Sequence, residues 1–289
     1  MGEPSAQPQL GWHGIAHLTY AVWEETCVPI QTFTQAPLKV QRPLYPEGKG
    51  VCHTVLVHTA GGMVRGDSLD VQLKLAPDCR VVATTAAANK VYGSQSAALH
   101  AAGLTAAQTV GLALPAGSCL EWFPQETIVF NEAQYRQDLR VDLAPGALWC
   151  GWDITRFGRS ARGERFERGH WRSHLEVWQG ERPLWIDRQV LEGGSPALDS
   201  PNGLRGYAVV GSFVVLGKMP DPDQVTRLRN LWPLDQPGDT GVTRLQNGLL
   251  CRYRGPSSQT ARQWFVAVWQ HLRPWYLDLP VVVPRVWQR

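Results

Sequence analysis

Leu114-Pro115-Ala116-Gly117, Glu121-Trp122-Phe123-Pro124-Gln125-Glu126, Leu143-Ala144-Pro145-Gly146 and Trp152-Asp153-Ile154-Thr155-Arg156-Phe157-Gly158-Arg159 all stand within Leu114 to Gly169, the stretch that decides the reading of this chain. Each Pro/Gly corner closes one apolar run and opens another, here Cys119 to Phe123 and Ala147 to Ile154. An earlier corner, Leu75-Ala76-Pro77-Asp78, opens Arg80 to Thr85 in the same way. Turn residues set between β-branched and aromatic runs read as strand, turn, strand. Units of this kind in succession predict a mainly β fold of many short strands in stacked sheets, sandwich-like or broadly β-helical.

The same stretch draws carboxylates and arginines into apolar sequence. A carboxylate inside a sheet is costly unless it is paired, hydrogen-bonded or bound to a cation. Glu126, ahead of Ile128-Val129-Phe130, and Asp153, between Trp152 and Ile154, therefore call for partners. The arginines at 156, 159, 162, 165, 168 and 172 recur nearly every third residue, interleaved with Glu164 and Glu167. They read as a solvated, ion-paired face, or in part as a basic rim for an acidic partner.

Outward from this stretch, strands are predicted over Gly14 to Glu24, Cys27 to Ala36, Val51 to His58 and Tyr207 to Leu216, with a Pro- and Gly-rich loop at Pro37 to Gly50. Ser68 to Leu75 alternates, Leu69, Val71, Leu73 and Leu75 against Asp70, Gln72 and Lys74, as a half-buried strand does. Ser173 to Arg188 continues the pattern around a Gly180 turn, with Leu175, Val177, Leu184 and Ile186 as its apolar positions. Two helices are expected toward the C-terminus. Asp223 to Trp232 starts near Asp221 or Asp223 and is ended by Pro233. Ser258 to Leu272 has Ala261, Trp264, Phe265, Val268, Trp269 and Leu272 on one face, Ser257 or Ser258 as cap and Pro274 as stop. That apolar face is expected to pack on a sheet.

The composition excludes several classes. With 289 residues, 44% hydrophobic and 18% charged, the chain is of ordinary globular type. A net charge of +3 gives no argument for nucleic acid. Only five of the 28 basic residues are lysines, so the positive charge is arginine, which suits bidentate pairing with carboxylates. The six cysteines, at 27, 52, 79, 119, 150 and 251, form no C-x-x-C pair and read as small buried hydrophobes in a reducing compartment. No apolar run approaches the roughly 20 residues of a membrane helix. Met1 to Gln9 is polar with two prolines and has no signal-peptide core, and Ala6 stands where a myristoylation motif wants Ser or Thr, so a cytoplasmic location is expected.

Enzyme signatures are missing: no Walker loop, G-x-G-x-x-G, G-x-S-x-G or H-E-x-x-H is present. The glycine-rich run Gly61 to Asp67 leads into no helix pattern. His13/His17 and His170/His174 have helical spacing but lie in strand-like sequence, where they are separate surface residues. His53 and His58 fall on opposite faces of one strand. One enzymatic reading survives, a hydrolase-type site with Glu126 and Asp153 as acid and base in a β-sandwich cleft.

Gly61-Gly62 with Gly66-Asp67, Thr84-Thr85 with Ala88-Asn89-Lys90-Val91-Tyr92, Glu121 to Glu126, and Gly158-Arg159 with Gly163-Glu164-Arg165-Phe166 and Gly169 stand together in an order that resembles the urease accessory protein UreD, or UreH, family. The sequence departs at Thr59-Ala60, at Arg65 and at Gly93, where the family usually has a proline pair, a glycine and an arginine. The resemblance implies one domain over 1–289, whose polar first residues, 1–10, read as a disordered leader. It also implies a non-catalytic scaffold that binds apo-urease and UreF, and through UreF the GTPase UreG, and that assists nickel insertion. No cofactor is expected to bind tightly, although nickel could pass transiently. Carboxylates dispersed through the chain suit such passage, because thiolate clusters would trap the ion. Asp67, Glu126, Asp153 and Glu164 are the expected nickel path, and Arg156, Arg159 and Arg162 the expected partner contacts.

Overall fold

The structure is a computed structural model that describes residues 11–93, 103–159, 162–233 and 235–287. The expected leader, 1–10, lies outside the described residues. The chain opens with the hairpin β1 (His13–Trp23) and β2 (Thr26–Gln35), followed by β3 (Leu38–Val40) and β4 (Cys52–His58). Three coils come next: β5 (Ser68–Leu75), β6 (Arg80–Thr85) and β7 (Asn89–Val91); β8 (Ala106–Leu114), β9 (Cys119–Phe123) and β10 (Thr127–Val129); β11 (Gln134–Leu143) and β12 (Leu148–Phe157). The hairpin β13 (His170–Gln179) and β14 (Arg182–Glu192) leads to β15 (Val209–Leu216), helix α1 (Pro222–Arg229), β16 (Asp239–Leu245), β17 (Gly248–Gly255) and helix α2 (Ser258–Leu277).

The three corners are built alike. Each of β5, β8 and β11 ends at a leucine, and after a corner of four residues β6, β9 or β12 begins in the opposite sheet. The third corner residue has positive φ, Asp78 at 62°, Gly117 at 78° and Gly146 at 79°. The fourth donates its N–H back to the first: Cys79 to Ala76 at 3.3 Å, Ser118 to Pro115 at 3.2 Å and Ala147 to Ala144 at 3.0 Å. Glycine takes that conformation without a Cβ penalty, and aspartate is among the few other residues that tolerate it.

Two facing sheets result. The seven-stranded sheet has the order β14-β13-β11-β8-β5-β1-β2, and the ten-stranded sheet runs β16-β17-β15-β12-β9-β6-β4-β3, with β10 and β7 attached beside β12. The coils pair in parallel, β5-β8-β11-β13 on one side and β4-β6-β9-β12 on the other. The fold is therefore mainly β, with a β-helical centre and antiparallel flanks. The β5 alternation is as predicted, with Leu69, Val71, Leu73 and Leu75 buried.

One core lies between the sheets. A second lies between the ten-stranded sheet and α2, where Ala261, Trp264, Phe265, Val268, Trp269 and Leu272 are all buried. Each such large side chain contributes roughly 1.5–3 kcal/mol by leaving water, so the expected packing role of this helix holds. Ser257 caps it, accepting from the Thr260 N–H, and Asp221 caps α1 in a reciprocal box with Gln224. The opposite face of the seven-stranded sheet is solvated and laced with ion pairs such as Arg140–Asp142 and Arg188–Glu176.

Three expectations are corrected. Helix α2 does not stop at Pro274 but runs to Leu277, because Arg273 and Tyr276 in that last stretch are buried against the sheet. Tertiary packing there outweighs the lost N–H. In β14 the buried residues are Trp185, Asp187 and Leu191, with Leu184 partly buried against the core as expected, but Ile186 is exposed. An irregularity at Val177/Trp178 changes the phase of that hairpin. The loop Pro37 to Gly50 also holds the short strand β3. All six cysteines are buried free thiols, as expected.

Candidate functional site: a polar seam between the sheets

Strand periodicity turns alternate residues inward, and in several strands of this sandwich one of those inward residues is polar. Across the seven-stranded sheet Gln108 on β8 stands beside Gln137 on β11, Gln137 beside Ser173 on β13, and Ser173 beside Gln189 on β14. Across the ten-stranded sheet Asp153 on β12 stands beside Ser212 on β15, and Ser212 beside Arg252 on β17. The two rows face one another and are joined, since Gln137 Nε2 donates to Asp153 Oδ1 at 3.1 Å.

The hydrogen bonds run along the seam. Asn89 Nδ2 donates to Gln108 Oε1 at 3.3 Å, and the Tyr135 hydroxyl donates to Gln137 Oε1 at 3.2 Å. At the other end Arg252 forks onto Asp187, with Nη1–Oδ2 and Nη2–Oδ1 both 2.8 Å, while Nη1 also reaches Ser212 Oγ at 2.8 Å. Gln189 Nε2 donates to Asp187 Oδ2 at 2.7 Å. Asn89 and Gln108 line a cavity of about 420 Å³. Gln189 and Arg252 line another of about 570 Å³. The seam thus has a cavity at each end.

Asp153 is the one carboxylate midway. It lies between the sheets yet keeps accessible surface. Burial pushes its pKa up to about 6, against the Gln137 hydrogen bond, and the Asp187 charge adds to the rise. Three inward polar groups nearby, Ser173 Oγ and the indole N–H groups of Trp149 and Trp171, have no partner within the protein. Leaving such a group dry costs about 1–3 kcal/mol, so this interior suits a polar guest.

The other sequence-predicted residues lie apart from the seam. Asp67 is a loop clamp whose carboxylate accepts the Trp12 and Val64 backbone N–H groups, both at 2.8 Å. Replacing it with alanine is expected to lower stability by about 1–3 kcal/mol, read from the denaturant midpoint. Glu126 faces α2, accepting from Ser258 Oγ at 3.3 Å, with Arg262 at 3.6 Å. It is thus on the far side of the ten-stranded sheet from Asp153, and the two form no acid and base pair. Glu164 accepts the Arg159 fork at 2.8 Å twice and the Arg159 N–H at 3.0 Å, which holds its pKa low. Arg159 also lies over the Phe130 ring at 4.7 Å. Arg156 reaches the Pro256 carbonyl at 3.3 Å, and Arg162 is exposed. Most of the arginine run is paired: Arg165 with Asp199 and Glu167, Arg168 with Glu132, Arg172 with Asp138.

Glu121 has the costliest position of the acids. Fully buried on β9, it accepts from Arg273 Nε at 3.1 Å to both oxygens, and from Trp269 Nε1 and the Tyr276 hydroxyl at 2.5 Å each. Burial raises its pKa in spite of those donors. Arg273 also reaches Glu47 at 2.6 and 3.0 Å, and Glu47 in turn accepts from His53 Nε2 at 2.5 Å. Burial alone would raise the Glu47 pKa, but the His53 hydrogen bond and Arg273 hold it low.

A profile of the UreD urease accessory protein family matches residues 13–288. The chain is 53% identical over 278 residues to the urease accessory protein UreD of Nostoc punctiforme, covering 96% of each chain. To the UreD of Trichormus variabilis it is 52% identical over 284 residues, 98% of this chain and 99% of that one. To the UreD of Dechloromonas aromatica it is 38% identical over 291 residues, 98% of both. Coils, corners and seam thus come with end-to-end likeness to one set of proteins, and the chain belongs to the UreD urease accessory protein family.

Proposed function

We propose that this protein matures urease in the cytoplasm without catalysing a reaction itself. It binds the urease apoprotein, UreF and through UreF the GTPase UreG, and it passes nickel along the seam toward the urease active site. The observation that carries this reading is Asp153, a partly buried residue whose carboxylate lies between two sheets and is joined through Gln137 to a row of amides and hydroxyls. One carboxylate among neutral oxygen donors attracts Ni²⁺ without the grip of thiolates, so the ion can leave again. Of the four acids expected along the path, Asp153 is the one this proposal retains. Arg156, Arg159 and Arg162 remain the proposed partner contacts, with exposed Arg162 foremost.

The test is urease-bound nickel in cells lacking this gene, at matched urease abundance. Apo-urease is expected to accumulate, the wild-type chain to restore nickel, and Asp153→Asn to restore about a tenth of it, the factor carried by 1.4 kcal/mol of lost attraction. Fully metallated urease in the deletion strain would refute the maturation role. Full restoration by Asp153→Asn would remove the seam from it.

A further inference from the structure

Arg252 is an unusual occupant of the seam. Its neighbours in the rows are uncharged, apart from Asp153, two strands away. Its guanidinium holds both oxygens of Asp187, which is 8% exposed, and the hydroxyl of Ser212, the cross-strand neighbour of Asp153. Asp187 is close enough to Asp153 for its charge to be felt there. Two carboxylates therefore lie in one stretch of interior, and the guanidinium there is paired with only one of them, Asp187. Ser173 adds an independent sign of a missing guest. It is 1% exposed, it stands in the row between Gln137, which bonds Asp153, and Gln189, which bonds Asp187, and its Oγ has no partner.

We infer that Asp153 and Asp187 form a latent divalent-cation site that Arg252 fills as a tethered counterion. This deepens the transit reading and rests on it. The ligand class is a first-row divalent cation that keeps part of its water shell, taken by carboxylate, amide and hydroxyl oxygens. Two carboxylates balance a divalent charge, whereas the guanidinium balances one of them. When the cation arrives, Arg252 gives up Asp187 and swings into the 570 Å³ cavity that it already lines. Its side chain is 41% exposed in the paired state, so the move is short. When the cation leaves, Arg252 returns and restores neutrality at Asp187. The arginine thereby keeps the site from retaining its cargo, because any cation must compete with a permanent internal rival.

Equilibrium dialysis of the full chain against nickel chloride, with bound metal counted by mass spectrometry, tests this. Arg252→Gln is expected to bind nickel about tenfold or more tightly than wild type, the gain of a site freed from an occupant that holds it most of the time. Adding Asp153→Asn to that variant is expected to abolish the gain. Should Arg252→Gln fail to fold, Arg252→Lys, which keeps the charge but loses the fork, is expected to fall between the two. Unchanged affinity in whichever variant folds overturns the proposal, as does a gain that survives Asp153→Asn. The two readings separate. Tighter binding with normal urease loading by Asp153→Asn leaves the latent site and refutes transit. Lost loading with unchanged affinity leaves transit and refutes the tethered counterion.

Discussion

Arg273→Ala is expected to recover mainly in the insoluble fraction, with a loss of about 3–5 kcal/mol in whatever folds. The native margin of a protein this size is only about 5–15 kcal/mol. Arg273 is 0% exposed and is the common partner of Glu121 and Glu47. Its pKa is pushed upward by those two carboxylates, against the effect of its own burial. Without it two acids stay enclosed and uncompensated, and the Pro280 carbonyl loses a donor at 2.5 Å. The damage reaches past one contact, because Arg273 ties α2 to β9 and to the loop before β4. Adding Glu121→Gln to the alanine variant is expected to return part of the loss, since one of the stranded charges is then gone. A wild-type denaturation midpoint for Arg273→Ala would sink this account.

Asp153→Asn is expected to do the opposite to stability, while it lowers the proposed nickel delivery. The carboxyl of Asp153 has a pKa of about 6 in the folded chain, above its ordinary value of 3.8. The folded state thus holds that proton more firmly than the unfolded chain does. The stability this confers is fully present below the unfolded pKa and is lost as pH rises through about 6. At pH 7.5 the ionised acid burdens the fold, and asparagine, which still accepts from Gln137, relieves it by on the order of 1–3 kcal/mol. Thermal midpoints should therefore rise by several degrees in the variant at pH 7.5, at roughly 2–4 °C per kcal/mol. They should converge with wild type near pH 4. A difference that does not depend on pH would mean that burial is not what sets this carboxyl. A costly acid kept at that position is what a site under functional demand looks like.

Much of the architecture was legible in the chain. Corners such as Leu143-Ala144-Pro145-Gly146 mark the strand ends because a positive φ leaves few residues to choose from. The α2 stripe announces its own burial through the period of its apolar residues. What stayed hidden was of two kinds. Proline at 274 reads locally as a stop, and only the packing of residues beyond it reverses that. The seam was hidden because it carries few charges. Its members are mostly amides and hydroxyls, as ordinary on a surface as in a core. The signal was nevertheless present in phase: Gln137 shares the face of Tyr135, Leu139 and Val141, and Ser173 that of Trp171, Leu175 and Val177. A polar residue in an apolar phase of a strand marks an interior requirement. Glu164 is the converse, a charge conspicuous in the sequence that its pairing with Arg159 accounts for.

The equal corners have a consequence for how such a chain can vary. Each coil carries its rung of the seam on a strand whose facing is counted from the turn beside it, and a shift of one residue reverses every side chain on that strand. A deletion of a single residue after Leu114 or Leu143 would leave composition almost untouched and yet point Asp153 or its neighbours away from the interior. Substitution at the corners asks for a residue that accepts positive φ, as Asp78 does where the other coils have glycine, and at Gly117 also for room, since a Cβ there would meet Asp78 Oδ1 at 2.2 Å, whereas Gly146 has open space. The letters of an open corner such as the one at Gly146 can therefore change at small cost, whereas the number of residues in any corner cannot.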